Sequence, residues 1–215
     1  MSRIEARLTD LQRDVLDAFF RFEKRFFLTG GGALAGYHLG HRETLDLDLF
    51  TTESILDEGD EALTVVAREL GASLEPIRTS PVMRRRIIHR DDESIVVDLV
   101  LDQVEQGETA KMRFGEIIVD PPIEILANKL CAALSRSEPR DLVDIMALEQ
   151  AGHRIEDAID LAMRKDGGLT PAQLGWVLSQ IRIGEEAELP GGVEPAALGE
   201  YLERLQHRLA RMAHP

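Results

Sequence analysis

Cysteine is almost absent from this chain of 215 residues, because Cys131 is its only one. A single cysteine excludes an internal disulfide framework and is typical of a reducing compartment, so we expect a cytoplasmic protein. We interpret Cys131 as a small core residue on a helix rather than a reactive thiol, since free cysteine is among the most buried residue types. The sequence also lacks an apolar run of about 18 residues, and we therefore expect no membrane span.

Positive charge is also scarce, since 25 lysines and arginines stand against 39 aspartates and glutamates. The formal net charge of −14 excludes a protein that coats nucleic acid generally, because such binding depends on a basic surface. It still permits a small basic groove at an active site. The six histidines show neither the H-x-x-x-H nor the Cys/His spacing of a zinc site. The N-terminus lacks the apolar segment of a signal peptide.

Hydrophobic periodicity changes character at about residue 120. Before this point we predict helices over about 3–22, in ALAGYHL and over about 57–70, and strands in RFFLTGGG, TLDLDLF, SLEPIRT, MRRRIIHR, SIVVDLVL and KMRFGEIIV. From DPPIEIL onward the pattern is helical, with a helix cap at Asp120 and a last helix over about 196–212. We therefore predict an α+β protein. Residues 1–120 form an α/β core with a mixed, mostly antiparallel sheet flanked by helices, and residues 121–215 form a helical C-terminal region.

Two aspartates, Asp46 and Asp48, are separated by one residue inside an otherwise apolar strand. Side chains alternate along a strand, so both carboxylates project from one face, while Leu45, Leu47 and Leu49 project from the other. Two desolvated carboxylates are costly unless a cation compensates them. Mg²⁺ binds through one or two carboxylates and leaves room for phosphates, and two such ions form a clamp for displacement at phosphorus. A solvated strand end that carries the two aspartates by chance is the alternative.

Three consecutive glycines, Gly30, Gly31 and Gly32, follow the first predicted strand. A glycine turn between a strand and a helix lets backbone N–H groups approach a phosphate closely. We predict that Gly30–Gly32 hold the phosphates of a nucleotide whose metal is bound by Asp46 and Asp48. An ordinary turn is the alternative.

A third carboxylate, Asp98, lies in the middle of SIVVDLVL, an almost continuously apolar segment that is typical of a central strand. A buried aspartate without a partner would be costly. We predict that Asp98 is the third acidic group of the metal site, where it could accept the proton of an attacking hydroxyl. The alternative is an ion pair with a nearby arginine, namely Arg84, Arg85 or Arg86.

The segment RRRIIHR is the best basic patch for an RNA acceptor in this acidic chain. Strand alternation would place Arg84, Arg86 and Arg90 on one face and Arg85 on the other. A hairpin whose arginines form salt bridges is the alternative. His41 and Arg42, just before the strand of the aspartate pair, could either approach a phosphate or lie at the surface.

The stretch LTGGGALAGYHLGHRETLDLDLF resembles the signature of the polymerase-beta-like nucleotidyltransferase superfamily, and within it the AbiEii/AbiGii-like nucleotidyltransferase toxins. The likeness continues in EILANKLCAALSRSEPRDLVDIMAL and covers residues 26–148. It implies the nucleotidyltransferase fold, two Mg²⁺ ions at Asp46 and Asp48, an NTP as substrate, and transfer of a nucleoside monophosphate with release of pyrophosphate. It also implies a place in a toxin–antitoxin pair, with a cognate antitoxin as partner.

Four residues of the helical region complete the resemblance. It implies that Lys129 lies near the nucleotide phosphates and that Arg140, Asp141 and Asp144 belong to the same set. Each also has a simpler explanation: Lys129 as a solvated lysine, Arg140 and Asp144 as a surface ion pair, and Asp141 as a favourable charge at a helix N-terminus. The family usually has Ser or Thr where this chain has Gly32, so a hydroxyl expected to touch a phosphate is missing.

The function that these patterns predict is that of an Mg²⁺-dependent nucleotidyltransferase of the EC 2.7.7 type, with a tRNA 3′ end, another RNA or a protein hydroxyl as acceptor. A dinucleotide-binding enzyme is an alternative, because Gly30, Gly32 and Gly36 follow a strand. That fold, however, needs one acidic residue about twenty residues further on and a parallel sheet. A third hypothesis is a non-catalytic relative that binds a nucleotide or a partner protein.

Overall fold

The computed structural model describes residues 7–107 and 110–214. These residues contain seven strands and eight α-helices. The strands are β1 (Phe27–Thr29), β2 (Asp46–Thr51), β3 (Ser73–Ser80), β4 (Met83–Arg90), β5 (Glu93–Leu101), β6 (Met112–Phe114) and β7 (Ile117–Val119). The helices are α1 (Asp10–Phe22), α2 (Gly30–Ala33), α3 (Leu56–Glu69), α4 (Pro122–Ser135), α5 (Pro139–Gln150), α6 (Ile155–Lys165), α7 (Pro171–Gln180) and α8 (Pro195–Ala213). A π-helical turn, Leu34–His38, continues α2, and a 3₁₀ turn, Pro190–Gly192, precedes α8.

The strands form one mixed sheet in the order β3-β4-β5-β2-β1-β7-β6. Strands β2 and β5 are parallel, as are β1 and β7, and every other neighbouring pair is antiparallel. The predicted α+β class with a mixed, mostly antiparallel sheet is therefore confirmed. Because β1 and β2 are antiparallel, the dinucleotide-binding alternative is wrong, since that fold needs parallel strands there.

One predicted strand and the first predicted helix have different bounds in the structure. KMRFGEIIV is a hairpin of β6 and β7 rather than one strand, because Gly115 has a φ of +62° that turns the chain back. The first helix begins at Asp10, where Thr9 accepts a hydrogen bond from Gln12 N and the Gln12 side chain bonds back to Thr9 N. Residues 3–6 of that predicted helix lie outside the described residues.

The core of the sheet lies on the face that α1 and α3 cover. Leu47 and Leu49 of β2 and Leu99 of β5 are fully buried there, and each contributes roughly 1.5–3 kcal/mol by leaving water. Helix α3 approaches this face closely at Gly59, where a Cβ would lie 2.6 Å from the Phe26 ring and 3.2 Å from Leu99. The opposite face of these strands is consequently the one that carries the aspartates.

Contacts divide the described chain into two compact units. One consists of residues 7–104 and 110–121, and the other of residues 105–107 and 122–214. In the second unit α4 packs against α5, α6 and α7, and α7 packs against α8. Among the described residues, no helix combines the length and apolarity that a membrane crossing requires.

An ion-pair network ties α8 to α5 and α6 within the second unit. Arg208 donates to both oxygens of Glu149 at 2.8 and 2.7 Å and to both oxygens of Glu156 at 3.0 and 2.6 Å. Tyr201 donates to Glu149 at 2.8 Å. The Arg208 hydrogen bonds lower the pKa of Glu156 to about 2. The network therefore stabilises the unit most when both glutamates are ionised.

Candidate functional site

A polar row crosses the sheet on the face opposite to α1 and α3. The strand register pairs Thr29 of β1 with Asp48 of β2, Asp48 with Asp98 of β5, and Asp98 with Arg85 of β4. Residues directly opposite in adjacent strands project from the same face, about 4.8 Å apart. Four side chains that are distant in the sequence thus become consecutive neighbours.

The predicted aspartate pair joins this row. Asp46 lies two residues before Asp48 on β2 and projects from the same face, while the intervening Leu47 is fully buried on the other. Both aspartates are half-buried, and the Thr44 hydroxyl donates to Asp46 Oδ1 at 2.9 Å. The structure therefore brings Asp46, Asp48 and Asp98 to one face of two adjacent strands.

Asp98 is engaged by an arginine. Arg85 Nε donates to Asp98 Oδ1 at 2.8 Å, and Arg85 Nη2 donates to Asp98 Oδ2 at 2.6 Å. The Asp98 hydrogen bond and the charges of Asp98, Asp46 and Asp48 raise the pKa of Arg85 above its ordinary value, although burial opposes the shift. The ion-pair alternative for Asp98 is thus present, and its role at a metal stays a prediction. Within the described ranges, no three Asp, Glu, His or Cys side chains are grouped so that they could hold a metal ion.

The glycines are the first turn of a helix and not a turn before it. Gly30 begins α2 directly after β1 and has a φ of +60°. A Cβ at this position would lie 3.2 Å from Asp48 Cγ and closer still to the Asp48 carboxylate oxygen Oδ2. Gly30 is therefore required both by its backbone conformation and by the carboxylate that packs against it.

The other two glycines have different neighbours. A Cβ at Gly31 would lie 2.9 Å from Arg42 Nη2, so a guanidinium lies against the first turn of α2. Arg42 is 6% exposed, which excludes the surface alternative for this residue. A Cβ at Gly32 would lie 3.2 Å from Leu28 and 3.3 Å from Leu47, two core side chains. The Ser or Thr that the family usually carries there would have its Cβ against these leucines.

A second polar cluster adjoins the row at Thr29, and the sequence interpretation missed it. The Thr29 hydroxyl donates to Asp120 Oδ2 at 2.7 Å, so it does not cap α2. Lys111 Nζ donates to Asp120 Oδ1 at 2.6 Å, and His38 Nε2 lies 2.7 Å from the Asp120 carbonyl oxygen. Asp120, predicted only as a helix cap, is 1% exposed and links β7 to β1, while α4 begins at Pro122. No local sequence pattern predicts this contact, because Thr29 and Asp120 are 91 residues apart in the chain.

Three of the four residues predicted in the helical region meet in a buried cluster. Lys129 Nζ of α4 lies 2.8 Å from Asp141 Oδ1 and 2.7 Å from Asp144 Oδ2 of α5. Both aspartates are fully buried and Lys129 is 7% exposed, so the solvated-lysine alternative is wrong. Burial opposes ionisation, but Arg136 and Lys129 hold the pKa of Asp141 below its ordinary value.

Arg140 and Arg136 are both partly exposed and pair with different carboxylates. Arg140 Nε donates to Glu138 at 2.7 Å, and its side chain is 43% exposed. Asp144 is fully buried and pairs with Lys129, so it does not belong to a surface ion pair. Arg136, which the interpretation did not select, donates to Asp141 at 2.8 and 3.1 Å. The nucleotide-binding roles of Lys129, Arg140, Asp141 and Asp144 stay predictions.

The arginines of β4 form salt bridges, which was the alternative to an RNA-binding patch for the segment RRRIIHR. Arg84 pairs with Asp57 of α3 at 2.7 Å, Arg86 with Asp60 of α3 at 2.5 Å, and Arg90 with Asp14 of α1 at 2.6 Å. These three arginines attach the covering helices to the sheet. Arg85, between two of them, projects from the other face and meets Asp98.

Comparisons with known proteins agree with this architecture. JHP933 from Helicobacter pylori is 18% identical with a TM-score of 0.60, and the match covers 100% of this chain and 96% of that one. MenT4, a nucleotidyltransferase toxin from Mycobacterium tuberculosis H37Rv, is 16% identical with a TM-score of 0.57, and the match covers 96% of this chain and 83% of that one. At these identities the likeness shows the fold alone.

The sequence itself matches a family model. None of the curated proteins matches the chain as a relative. The model of the nucleotidyl transferase AbiEii toxin, of type IV toxin–antitoxin systems, matches residues 14–211. The resemblance seen in the glycine and aspartate motifs is thereby confirmed over nearly the whole chain, and we conclude that this protein belongs to the AbiEii family of nucleotidyltransferase toxins.

Proposed function

We propose that this protein transfers a nucleoside monophosphate from an NTP to an RNA or protein acceptor, with Mg²⁺ bound at Asp46 and Asp48. The observation that carries the proposal is that Asp46, Asp48 and Asp98 project from one face of the adjacent strands β2 and β5. Asp48 on this face also lies directly beside Gly30, the first residue of α2. Arg85 offsets the charge of Asp98, and a divalent ion at Asp46 and Asp48 would reduce the remaining repulsion among the carboxylates of the row.

The donor set fits magnesium. Two carboxylates on one strand face are the ligands that Mg²⁺ takes from proteins when substrate phosphates complete its shell. Bound there, the ion would neutralise charge on the transferred phosphoryl group. Asp98 would be available to the metal or to the acceptor hydroxyl once its carboxylate is released from Arg85.

The chain's own contribution is to position the nucleotide. Backbone N–H groups of the first helical turn, at Gly30–Gly32, would approach the triphosphate, since the Thr29 hydroxyl is used by Asp120 instead of capping them. Arg42, buried against Gly31, would add a fixed positive charge at the same place. Catalysis would then consist of positioning and charge stabilisation, as is general for phosphoryl transfer.

The acceptor and partner belong to the same proposal. Membership in a toxin family of type IV toxin–antitoxin systems supports a cognate antitoxin. The salt-bridged β4 arginines do not offer an RNA surface while they are paired with helix carboxylates, so we expect RNA, including tRNA, to be bound elsewhere.

The test is to incubate the protein with each α-labelled NTP, Mg²⁺, total cellular RNA and total protein, and to identify the species that takes up label. We expect label on one acceptor class, its loss in Asp48→Asn, and its retention in Asp57→Asn, which removes an exposed carboxylate on α3. Equal labelling by wild type and Asp48→Asn would contradict the assignment. NTP binding without pyrophosphate release would favour the non-catalytic alternative.

A further inference from the structure

Arg85 is a cation already in contact with the proposed metal site. Its guanidinium donates to both oxygens of Asp98 at 2.8 and 2.6 Å, which is the bidentate geometry of strong arginine–carboxylate pairs. While this pair persists, each Asp98 oxygen accepts a hydrogen bond from the guanidinium, and the positive charge of Arg85 repels a divalent ion that approaches the same carboxylate. The arginine thus takes a place that a divalent ion would need.

The two partners differ sharply in exposure. The Asp98 side chain is 4% exposed, whereas the Arg85 side chain is 43% exposed. Asp98 is consequently held by the surrounding sheet, and Arg85 reaches it from solvent on a long, flexible stem. Release of Asp98 would proceed by rotation of the exposed Arg85 side chain.

The neighbouring arginines show that this contact is specific to one strand face. Arg84 and Arg86 project to the other face and pair with Asp57 and Asp60 of α3. Only Arg85 of this triplet faces the carboxylate row. Substitutions that neutralise Arg84 and Arg85 are therefore a matched pair: each removes one positive charge from β4, but from opposite faces of the sheet.

Charge balance indicates what the arginine does. Two guanidinium groups, Arg85 on Asp98 and Arg42 against Gly31, offset part of the negative charge of the three carboxylates. A metal ion bound at Asp98 would displace the guanidinium, and the triphosphate that it carries would bring negative phosphate oxygens to the same face. The phosphate oxygens then offer Arg85 an alternative acceptor of the kind that arginine binds bidentately.

We propose that Arg85 is the resident counter-ion of the metal-free site: it holds Asp98 in place of a metal ion and moves from Asp98 to the triphosphate when a metal–nucleotide complex binds. This inference rests on the proposed function and assigns to Arg85 a positioning role. Its direct consequence is that Arg85 weakens binding of a divalent ion in the absence of nucleotide, because ion and guanidinium compete for one carboxylate.

The test is to titrate the EDTA-stripped protein with Mn²⁺ in the absence of nucleotide. Binding is measured as the loss of the electron paramagnetic resonance signal of free Mn²⁺. We expect Arg85→Gln to bind Mn²⁺ about 10- to 100-fold more tightly than wild type, since a charged hydrogen-bonded competitor is lost. Arg84→Gln, the matched control on the other face, should bind as wild type does. Equal or weaker Mn²⁺ binding in Arg85→Gln would overturn the proposal.

A second measurement covers the case in which Arg85→Gln is unstable without metal. Arg85→Lys keeps the charge but lacks the two-point contact, so it should fold and bind Mn²⁺ with an affinity between those of wild type and Arg85→Gln. If wild type transfers nucleotides while all variants bind Mn²⁺ equally, the Arg85 inference fails and the proposed function stands. If no variant binds Mn²⁺ and none transfers, both fail.

Discussion

Replacing Gly30 with alanine tests whether the start of α2 and the Asp48 carboxylate form one unit. Gly30 has a φ of +60°, and a Cβ there would lie 3.2 Å from Asp48 Cγ and nearer to Asp48 Oδ2. The substitution therefore acts in two ways. It strains the backbone, and it pushes the carboxylate away from the helix.

The two effects have different sizes. The left-handed conformation costs a residue with a Cβ about 1–2 kcal/mol. The carboxylate must also withdraw by about 1 Å to restore normal carbon–oxygen contact. A displacement of that size in a catalytic group costs about 100-fold in rate. We expect Gly30→Ala to remain folded but to lose about 100-fold in nucleotide transfer.

Gly71→Ala is the matched control, because Gly71 has a φ of +64° and nothing lies within 4 Å of its Cβ position. Both variants should lose similar backbone stability in urea titrations, about 1–2 kcal/mol. Only Gly30→Ala should lose transfer from labelled NTP and affinity for Mn²⁺. If the two variants transfer nucleotide at the same rate, the reasoning about Asp48 is refuted.

Three further predictions concern the helical unit. Lys129→Met removes the cation that two buried aspartates share, so urea titration should show a loss of about 3–5 kcal/mol, and a loss under about 1 kcal/mol would contradict the pairing. Arg208 lowers the pKa of Glu156 from 4.5 to about 2. The stabilisation of the folded protein by this ion pair is therefore complete above pH 4.5 and disappears as the pH falls towards 2. The difference in Tm between wild type and Arg208→Gln should therefore narrow on acidification, and a constant difference would refute this. Burial is the main cause that raises the pKa of the Cys131 thiol from 9.0 to about 11. Because the thiolate is the nucleophile, iodoacetamide should alkylate Cys131 about 100-fold more slowly in the native than in the unfolded protein. Equal rates would show that the thiol is accessible and reactive.

Part of the site could be predicted from neighbouring residues alone. The period of two places Asp46 and Asp48 on one strand face whatever the strand pairs with, and the apolar residues around Asp98 indicate a central strand. The glycine run was correctly associated with the start of a helix, but its backbone was predicted as a preceding turn. That difference arose because Gly30 itself enters the helix with a positive φ, which no neighbouring residue signals.

Local sequence patterns thus predict the faces of the strands, the class of the fold and the family motifs, because these depend on residues a few positions apart. Which charged side chains pair with one another depends on strand pairing and helix packing. The parallel pairing of β2 with β5 sets Asp48 beside Asp98, and the register of β4 gives Asp98 to Arg85 rather than to Arg84 or Arg86. The packing of α5 on α4 likewise buries Lys129 between two aspartates. Strand register and helix packing are settled by burial of the whole core, so partners distant in the chain cannot be read from local periodicity.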